Sequence, residues 1–176
     1  MTARLRNHSL WLMPEEAARA RLDRIIEDLS NTHRTPRFHA HVTLLARVLQ
    51  PAHDVVAKTQ ALAIAGKLPQ LSLTLGSLAM TNAYFLSLFA IVDPGDYLLA
   101  AHERLKSCFH VQSIGAFTPH LSLLYGKLAE VDKHAIVARL HRRYPERFTA
   151  REIAVFDTSG APEHWRQVGS VALTEP

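Results

Sequence analysis

The chain has 176 residues, 48% hydrophobic and 20% charged, with a formal net charge of +4 when histidine is neutral; that composition supports a packed core, excludes a disordered chain, and bounds the protein to one domain or two small lobes sharing a core. A single cysteine, Cys108, leaves no intrachain disulfide and no cysteine-based metal cluster, so the reducing cytoplasm is the expected compartment. No apolar run approaches the ~18 residues of a membrane span, and no leader-length apolar stretch follows the basic start at Arg4 and Arg6.

Ser9–Met13 reads as a strand, and Pro14 is expected to open a helix with Glu15 and Glu16 in its first turn, where carboxylates suit the helix dipole. Ala17, Leu22, Ile25, Ile26 and Leu29 form its apolar face. A polar loop with Pro36 leads to a strand over residues 38–46. Pro51 starts a second helix, running to about Ala65 and closed by Gly66. Leu71, Leu73 and Leu75 alternate with Ser72 and Thr74 as a half-buried strand. Tyr84–Val92 predicts another strand, and Asp93-Pro94-Gly95-Asp96 opens a helix to about Cys108. Residues 117–125 form the next strand, and residues 128–143 a helix with Val131, Ile136, Val137 and Leu140 on one side. Arg151–Phe156 and Gln167–Leu173 read as closing strands.

One phrase occurs twice in this order. Residues 38–45 read Phe-His-Ala-His-Val-Thr-Leu-Leu and residues 117–124 read Phe-Thr-Pro-His-Leu-Ser-Leu-Leu. Both fit F-x-x-H-x-[S/T]-L-L, with His41 and His120 79 residues apart, and the prolines Pro14 and Pro94 precede their histidines by 27 and 26 residues. Strand, proline-started helix, loop and motif strand therefore all repeat, which predicts an internal duplication of about 80 residues. The expected fold is a single α+β domain over residues 1–176, built as two intertwined lobes about a pseudo-two-fold axis.

In a strand, residues i and i+2 share a face, so His41 projects with Thr43 and His120 with Ser122, while Val42, Leu44, Leu121 and Leu123 point into the core. A hydroxyl donates to a non-bridging phosphate oxygen, and an imidazole exchanges a proton near neutral pH. Two such pairs flanking one phosphorus allow one histidine to activate water and the other to protonate the departing oxygen. The same pattern also fits a pair of structural histidines bonded to backbone carbonyls. Phe38 and Phe117 are expected in the core rather than stacked on substrate. Tyr125 either caps the sheet or reaches a phosphate, and Trp11 is either core or one wall of the cleft.

His39-x-His41 resembles a metal pair, but no Asp or Glu flanks either motif and the second copy has Thr118 at the matching position, so no metal site is expected. His102, His110, His134 and His141 have no ligand-like spacing and are expected in solvent. Arg139, His141, Arg142 and Arg143 read as an exposed helix end, with RNA contact as the alternative.

The chain resembles the 2H phosphoesterase superfamily, named for its two H-x-[S/T] motifs, and within it the cyclic phosphodiesterase branch. The resemblance rests on Ser9-Leu10-Trp11-Leu12-Met13-Pro14, on His41-Val42-Thr43, and on Pro119-His120-Leu121-Ser122-Leu123-Leu124-Tyr125-Gly126. It implies a bilobal fold with two antiparallel sheets facing across a central cleft and helices outside. It implies cofactor-free, metal-independent opening of nucleoside 2′,3′-cyclic phosphates to 2′-phosphates, or of ADP-ribose 1″,2″-cyclic phosphate to ADP-ribose 1″-phosphate. By position, it gives His41, Thr43, His120 and Ser122 the phosphate and the chemistry, Tyr125 an assisting role, and Trp11 the cleft wall. It favours His120 as the group that activates water and His41 as the one serving the leaving group. Plant members carry several cysteines, whereas Cys108 stands alone here, so redox control of that kind is not expected. A monomer acting on a small cyclic-phosphate nucleotide, without membrane contact, is the first expectation. The alternatives are an RNA 2′,5′-ligase or RNA-end phosphodiesterase of the same superfamily, and a nucleotide-binding module without turnover.

Overall fold

The computed structural model describes residues 6–112, 115–140 and 147–175. In chain order its elements are β1 (His8–Pro14), α1 (Glu16–His33), β2 (Val42–Val48), α2 (Ala52–Ile64), β3 (Leu71–Met80), β4 (Leu88–Val92), α3 (Asp96–Phe109), β5 (His120–Leu124), α4 (Glu130–Leu140), β6 (Arg147–Asp157) and β7 (Arg166–Ala172). Single 3-10 turns lie at Tyr84–Leu86 and Pro162–His164.

Local chemistry sets several boundaries differently from the sequence expectation. Pro14 ends β1 opposite Ala150 instead of opening α1, and Glu15 caps the helix while its carboxylate accepts from the Thr149 N–H at 2.6 Å. Ala18, Leu22, Ile26 and Leu29 form the buried stripe of α1, and Ala17 faces solvent. The expected strand at residues 84–92 is broken by the turn at Tyr84–Leu86, leaving only Leu88–Val92 in the ladder. On α4, Ile136 and Leu140 are buried as expected, but Val131 is 74% exposed and Lys133 is buried, its ammonium donating to Thr81 O at 2.8 Å and Asn82 Oδ1 at 3.0 Å. The end of the helix expected at residues 141–143 lies outside the described residues.

The strands are antiparallel throughout and hydrogen-bond in the order β1-β2-β5-β4-β3-β6-β7. β1 also pairs with β6, so the sheet closes on itself in a barrel-like arrangement with β7 attached to β6. Exchanging β1 with β4, β2 with β5 and β3 with β6 leaves the pairing of these six strands unchanged, which is the duplication expressed as topology; β7 stands outside it. The third strand of each half pairs with the first strand of the other: β3 with β4, and β6 with β1. The cross-half pairings β2–β5 and β3–β6 join the described strands into one continuous ladder, where two facing sheets were expected. The joint between the motif strands is narrow, with Val42 opposite Leu121 as its register pair.

The core explains why the motif strands are rigid. Val42, Leu44, Leu121 and Leu123 are fully buried in one apolar cluster that draws on both halves. Each such side chain contributes roughly 1.5–3 kcal/mol by leaving water. Helix α2 lies close against β7, where a Cβ on Gly169 would come within 2.5 Å of Val56 Cγ2, so only glycine fits. Gly126, at φ +121, turns the chain after Tyr125 and donates its N–H to Tyr84 O at 2.9 Å.

Candidate active site

The β2–β5 joint brings the two motifs together. Continuing the antiparallel register from Val42 and Leu121 sets His41 opposite Ser122 and Thr43 opposite His120. All four side chains lie on the face opposite the core leucines. Directly opposed Cβ atoms sit about 4.5–5.5 Å apart, and i, i+2 neighbours roughly 6.6 Å apart, so the four groups outline a patch the size of a phosphate.

The histidines share one anchoring geometry. His41 Nδ1 lies 2.6 Å from His39 O, and His120 Nδ1 lies 2.9 Å from Thr118 O. A carbonyl only accepts, so each Nδ1 carries a proton and donates it, leaving each Nε2 to exchange one. Their surroundings differ. His41 is buried, and its ring stacks on Trp11 at 3.6 Å between centroids with an angle of 12°. Burial pulls the His41 pKa down to about 4, opposed by the bond to His39 O; nearby His120 and His39 lower it further and Asp23 raises it. His120 is half-buried and meets Phe89 edge-on at 5.4 Å.

The hydroxyls differ too. Ser122 is buried and donates from Oγ to Phe85 O at 3.2 Å. Thr43 is half-buried opposite Trp11 of β1, and among the described residues its hydroxyl has no hydrogen-bond partner. The Tyr125 phenol is held well above its ordinary pKa by burial, partly offset by a hydrogen bond with Ser122. It therefore stays protonated as a donor beside the patch.

Trp11 stands between His41 and Phe156, the latter at 3.9 Å between centroids, in an aromatic cluster apart from the main core. It lines a cavity of about 510 Å³ with Phe38, His39, Phe156 and Trp165, among others. Both motif phenylalanines pack on the main core as expected, and they differ in their ring partners. Phe38 stacks on Tyr125 at 3.8 Å and joins the cavity wall. Phe117 stacks on His102 at 3.8 Å with only 2° between the rings and packs on the core. His102 is therefore not solvated as expected: it is buried and donates from Nδ1 to Leu44 O at 2.8 Å, supporting β2 from α3. His110 and His134 are exposed, as is Arg139, while His141, Arg142 and Arg143 lie outside the described residues.

His39 and His41 do not converge as a metal pair. The His39 ring turns outward to Asp23 Oδ2 at 3.3 Å, a bond that raises its pKa against burial, while the His41 ring turns onto Trp11. Among the described residues no three His, Cys, Asp or Glu side chains cluster to hold a metal ion. Asp23 is the acidic neighbour that the motif lacks in sequence; it arrives from α1, and no spacing rule points to it. Trp165 and Phe85 also escaped the sequence reading. Trp165 meets Trp11 edge-on at 5.7 Å, and Phe85 sits 5.2 Å from Tyr125.

A model of the 2′-5′ RNA ligase superfamily matches residues 10–162, and the chain belongs to that family, the 2H phosphoesterases. Membership places it among proteins that make or break phosphoester bonds. Among individual relatives, the Arabidopsis thaliana cyclic phosphodiesterase is 27% identical over 126 residues, covering 72% of this chain and 68% of that one. The fold is similar to apo E. coli LigT (TM-score 0.62, 17% identity, covering 98% of this chain and 100% of that chain). It is also similar to E. coli LigT complexed with 3′-AMP (TM-score 0.59, 18% identity, covering 98% and 100%). Among the described residues no helix is long and apolar enough to cross a membrane.

Proposed function

We propose that the protein hydrolyses cyclic phosphodiesters with His41 and His120 as an acid-base pair. The candidate substrates are nucleoside 2′,3′-cyclic phosphates, opened to 2′-phosphates, and ADP-ribose 1″,2″-cyclic phosphate, opened to ADP-ribose 1″-phosphate. The observation that supports this most directly is the anchoring of both imidazoles through Nδ1 to a backbone carbonyl, on adjacent strands, which leaves each Nε2 to exchange a proton.

In the proposed reaction, His120 Nε2 takes a proton from water as the water oxygen bonds to phosphorus. The ester bond to the ribose 3′ oxygen breaks, and His41 Nε2–H protonates that oxygen. One water is consumed and the proton count of the pair is restored by exchange with solvent. A His41 imidazolium of low pKa is a strong acid, suited to an alkoxide leaving group, and an anionic phosphate beside it favours loading its proton. Thr43 donates to a non-bridging oxygen, Ser122 does so by turning its one hydroxyl hydrogen from Phe85 O to the phosphate, Tyr125 supports Ser122, and Trp11 forms the wall beside the nucleoside. The likeness to a plant cyclic phosphodiesterase favours this substrate class. A monomeric, cytoplasmic, single-domain enzyme with its cleft between two lobes completes the proposal. A small nucleotide is preferred over an RNA end because a net charge of +4 is modest for gripping a polynucleotide.

The test is incubation with a panel of cyclic-phosphate substrates in EDTA, with the products followed by phosphorus NMR. Ring opening to a single phosphomonoester is expected. Binding without turnover across the panel defeats the proposal in favour of a binding module. Loss of activity in EDTA with recovery in zinc defeats the two-histidine chemistry. Tight tRNA binding that falls steeply with salt, without cyclic-phosphate turnover, assigns the protein to RNA ends.

A further inference from the structure

The peptide unit joining His39 to Ala40 is bonded at both ends. Its carbonyl accepts from His41 Nδ1 at 2.6 Å, and its N–H donates to Asp23 Oδ1 at 2.6 Å. A carboxylate on α1 is thus linked through one peptide group to the imidazole that stacks on Trp11. Hydrogen bonds in series polarise one another, and a carboxylate on the N–H makes the carbonyl at the other end a stronger acceptor. A stronger acceptor at Nδ1 holds the ring in one tautomer and stabilises its protonated form. Asp23 Oδ2 meanwhile holds the His39 ring, which fixes the segment leading into β2.

The second motif cannot copy this arrangement. His120 Nδ1 bonds Thr118 O in the same way, but the next residue is Pro119, which has no N–H to offer a carboxylate. Ala40 and Pro119 occupy equivalent places in the repeated octapeptide. Besides their burial and ring partners, the two histidines differ by this one amide hydrogen.

We propose that Asp23 is a positioning residue that acts through the 39–40 peptide to orient His41 and favour its protonated form, and that Pro119 denies His120 the same support. The catalytic part of this rests on the function proposed above; the hydrogen-bond chain stands without it. The titratable groups acting on His41 are His120 from β5, His39 from its own segment and Asp23 from α1. Of these only Asp23 raises its proton affinity, in the direction the chain of bonds requires.

Asp23→Asn is the discriminating variant, because the amide oxygen still accepts from the Ala40 N–H while the charge is gone. Histidine-labelled protein is titrated by NMR, so the readout needs no substrate. In Asp23→Asn the His41 ring should titrate at lower pH than in wild type. Where cyclic-phosphate turnover is present, kcat should fall by about tenfold or more with KM within about twofold, the size of a lost charge-assisted bond. An unchanged His41 titration in folded Asp23→Asn overturns the proposal, and so does a raised KM with normal kcat, which makes Asp23 a substrate contact of the cavity it lines. If the variant does not fold, the wild-type protein still decides: slow hydrogen exchange at the Ala40 amide supports the chain of bonds, and exchange as fast as an exposed loop amide overturns it. Absence of turnover in wild type, with the His41 titration shifted as expected, separates a failed substrate assignment from a failed hydrogen-bond chain.

Discussion

The two copies of the motif carry the same chemical groups and hold them in unequal surroundings. His41 is buried under Trp11 with its pKa pulled down to about 4, and a carboxylate stands one peptide behind it. His120 is half-buried beside Phe89, preceded by a proline. Ser122 is buried and already bonded to Phe85 O, whereas the Thr43 hydroxyl has no partner among the described residues. Duplication supplies two equivalent proton-transfer groups. The proposed acid and base must differ, and the difference comes from neighbours outside the repeated octapeptide: Trp11 from β1, Asp23 from α1, and Phe85 from the turn before β4.

The largest expected effect breaks the pair itself. His41→Ala or His120→Ala should each cut hydrolysis of 2′,3′-cyclic AMP by at least ~10², with circular dichroism unchanged. Near-normal rates in both variants would remove the catalytic assignment and leave two structural histidines.

The next effect reads the buried His41 through stability. The folded protein resists protonating His41 until about pH 4, while the unfolded chain takes that proton near the ordinary value of 6.5. Between those values the unfolded state binds more protons, so stability falls as pH drops across this window. The loss amounts to about 3 kcal/mol when complete, subject to other groups titrating in parallel. Urea unfolding at pH 7 and pH 4 measures it. His41→Gln should flatten the dependence in this window; an unchanged slope in that variant would show that the buried His41 is not its source.

The smallest effect concerns the hydroxyls. Thr43→Ala and Ser122→Ala should each lower turnover by about tenfold if each donates to the phosphate. Their stability costs should differ. Ser122→Ala gives up the bond to Phe85 O and should cost about 1 kcal/mol, while Thr43→Ala should stay within about 0.5 kcal/mol. Equal costs in thermal unfolding would show that Thr43 is bonded like its counterpart.

The strand and helix order was legible because it is written locally. Alternating leucines at 71, 73 and 75 and helical spacing at 22, 26 and 29 report on faces that need only nearest neighbours along the chain. Errors fell where distant partners decide. Lys133 is buried because Thr81 O and Asn82, in the segment after β3, satisfy its ammonium, and periodicity cannot see an acceptor about fifty residues away. His102 is buried because Phe117 and Leu44 O receive it, again from separate elements. The exchange of third strands between halves, and the β2–β5 and β3–β6 pairings that join the strands into one closed ladder, are matters of pairing rather than of propensity.

By itself the sequence determined the doubled order of elements and the four side chains of the patch, since i, i+2 spacing on a strand fixes which groups share a face. It also contained the Ala40 and Pro119 difference, without any sign of what that difference does. Only the tertiary structure decided that Asp23 meets the Ala40 N–H, that Trp11 covers His41, and that β2 and β5 lie side by side. The physical reason is that proton affinity depends on burial and on charges a few ångströms away, and those neighbours are chosen by packing between elements distant in the chain.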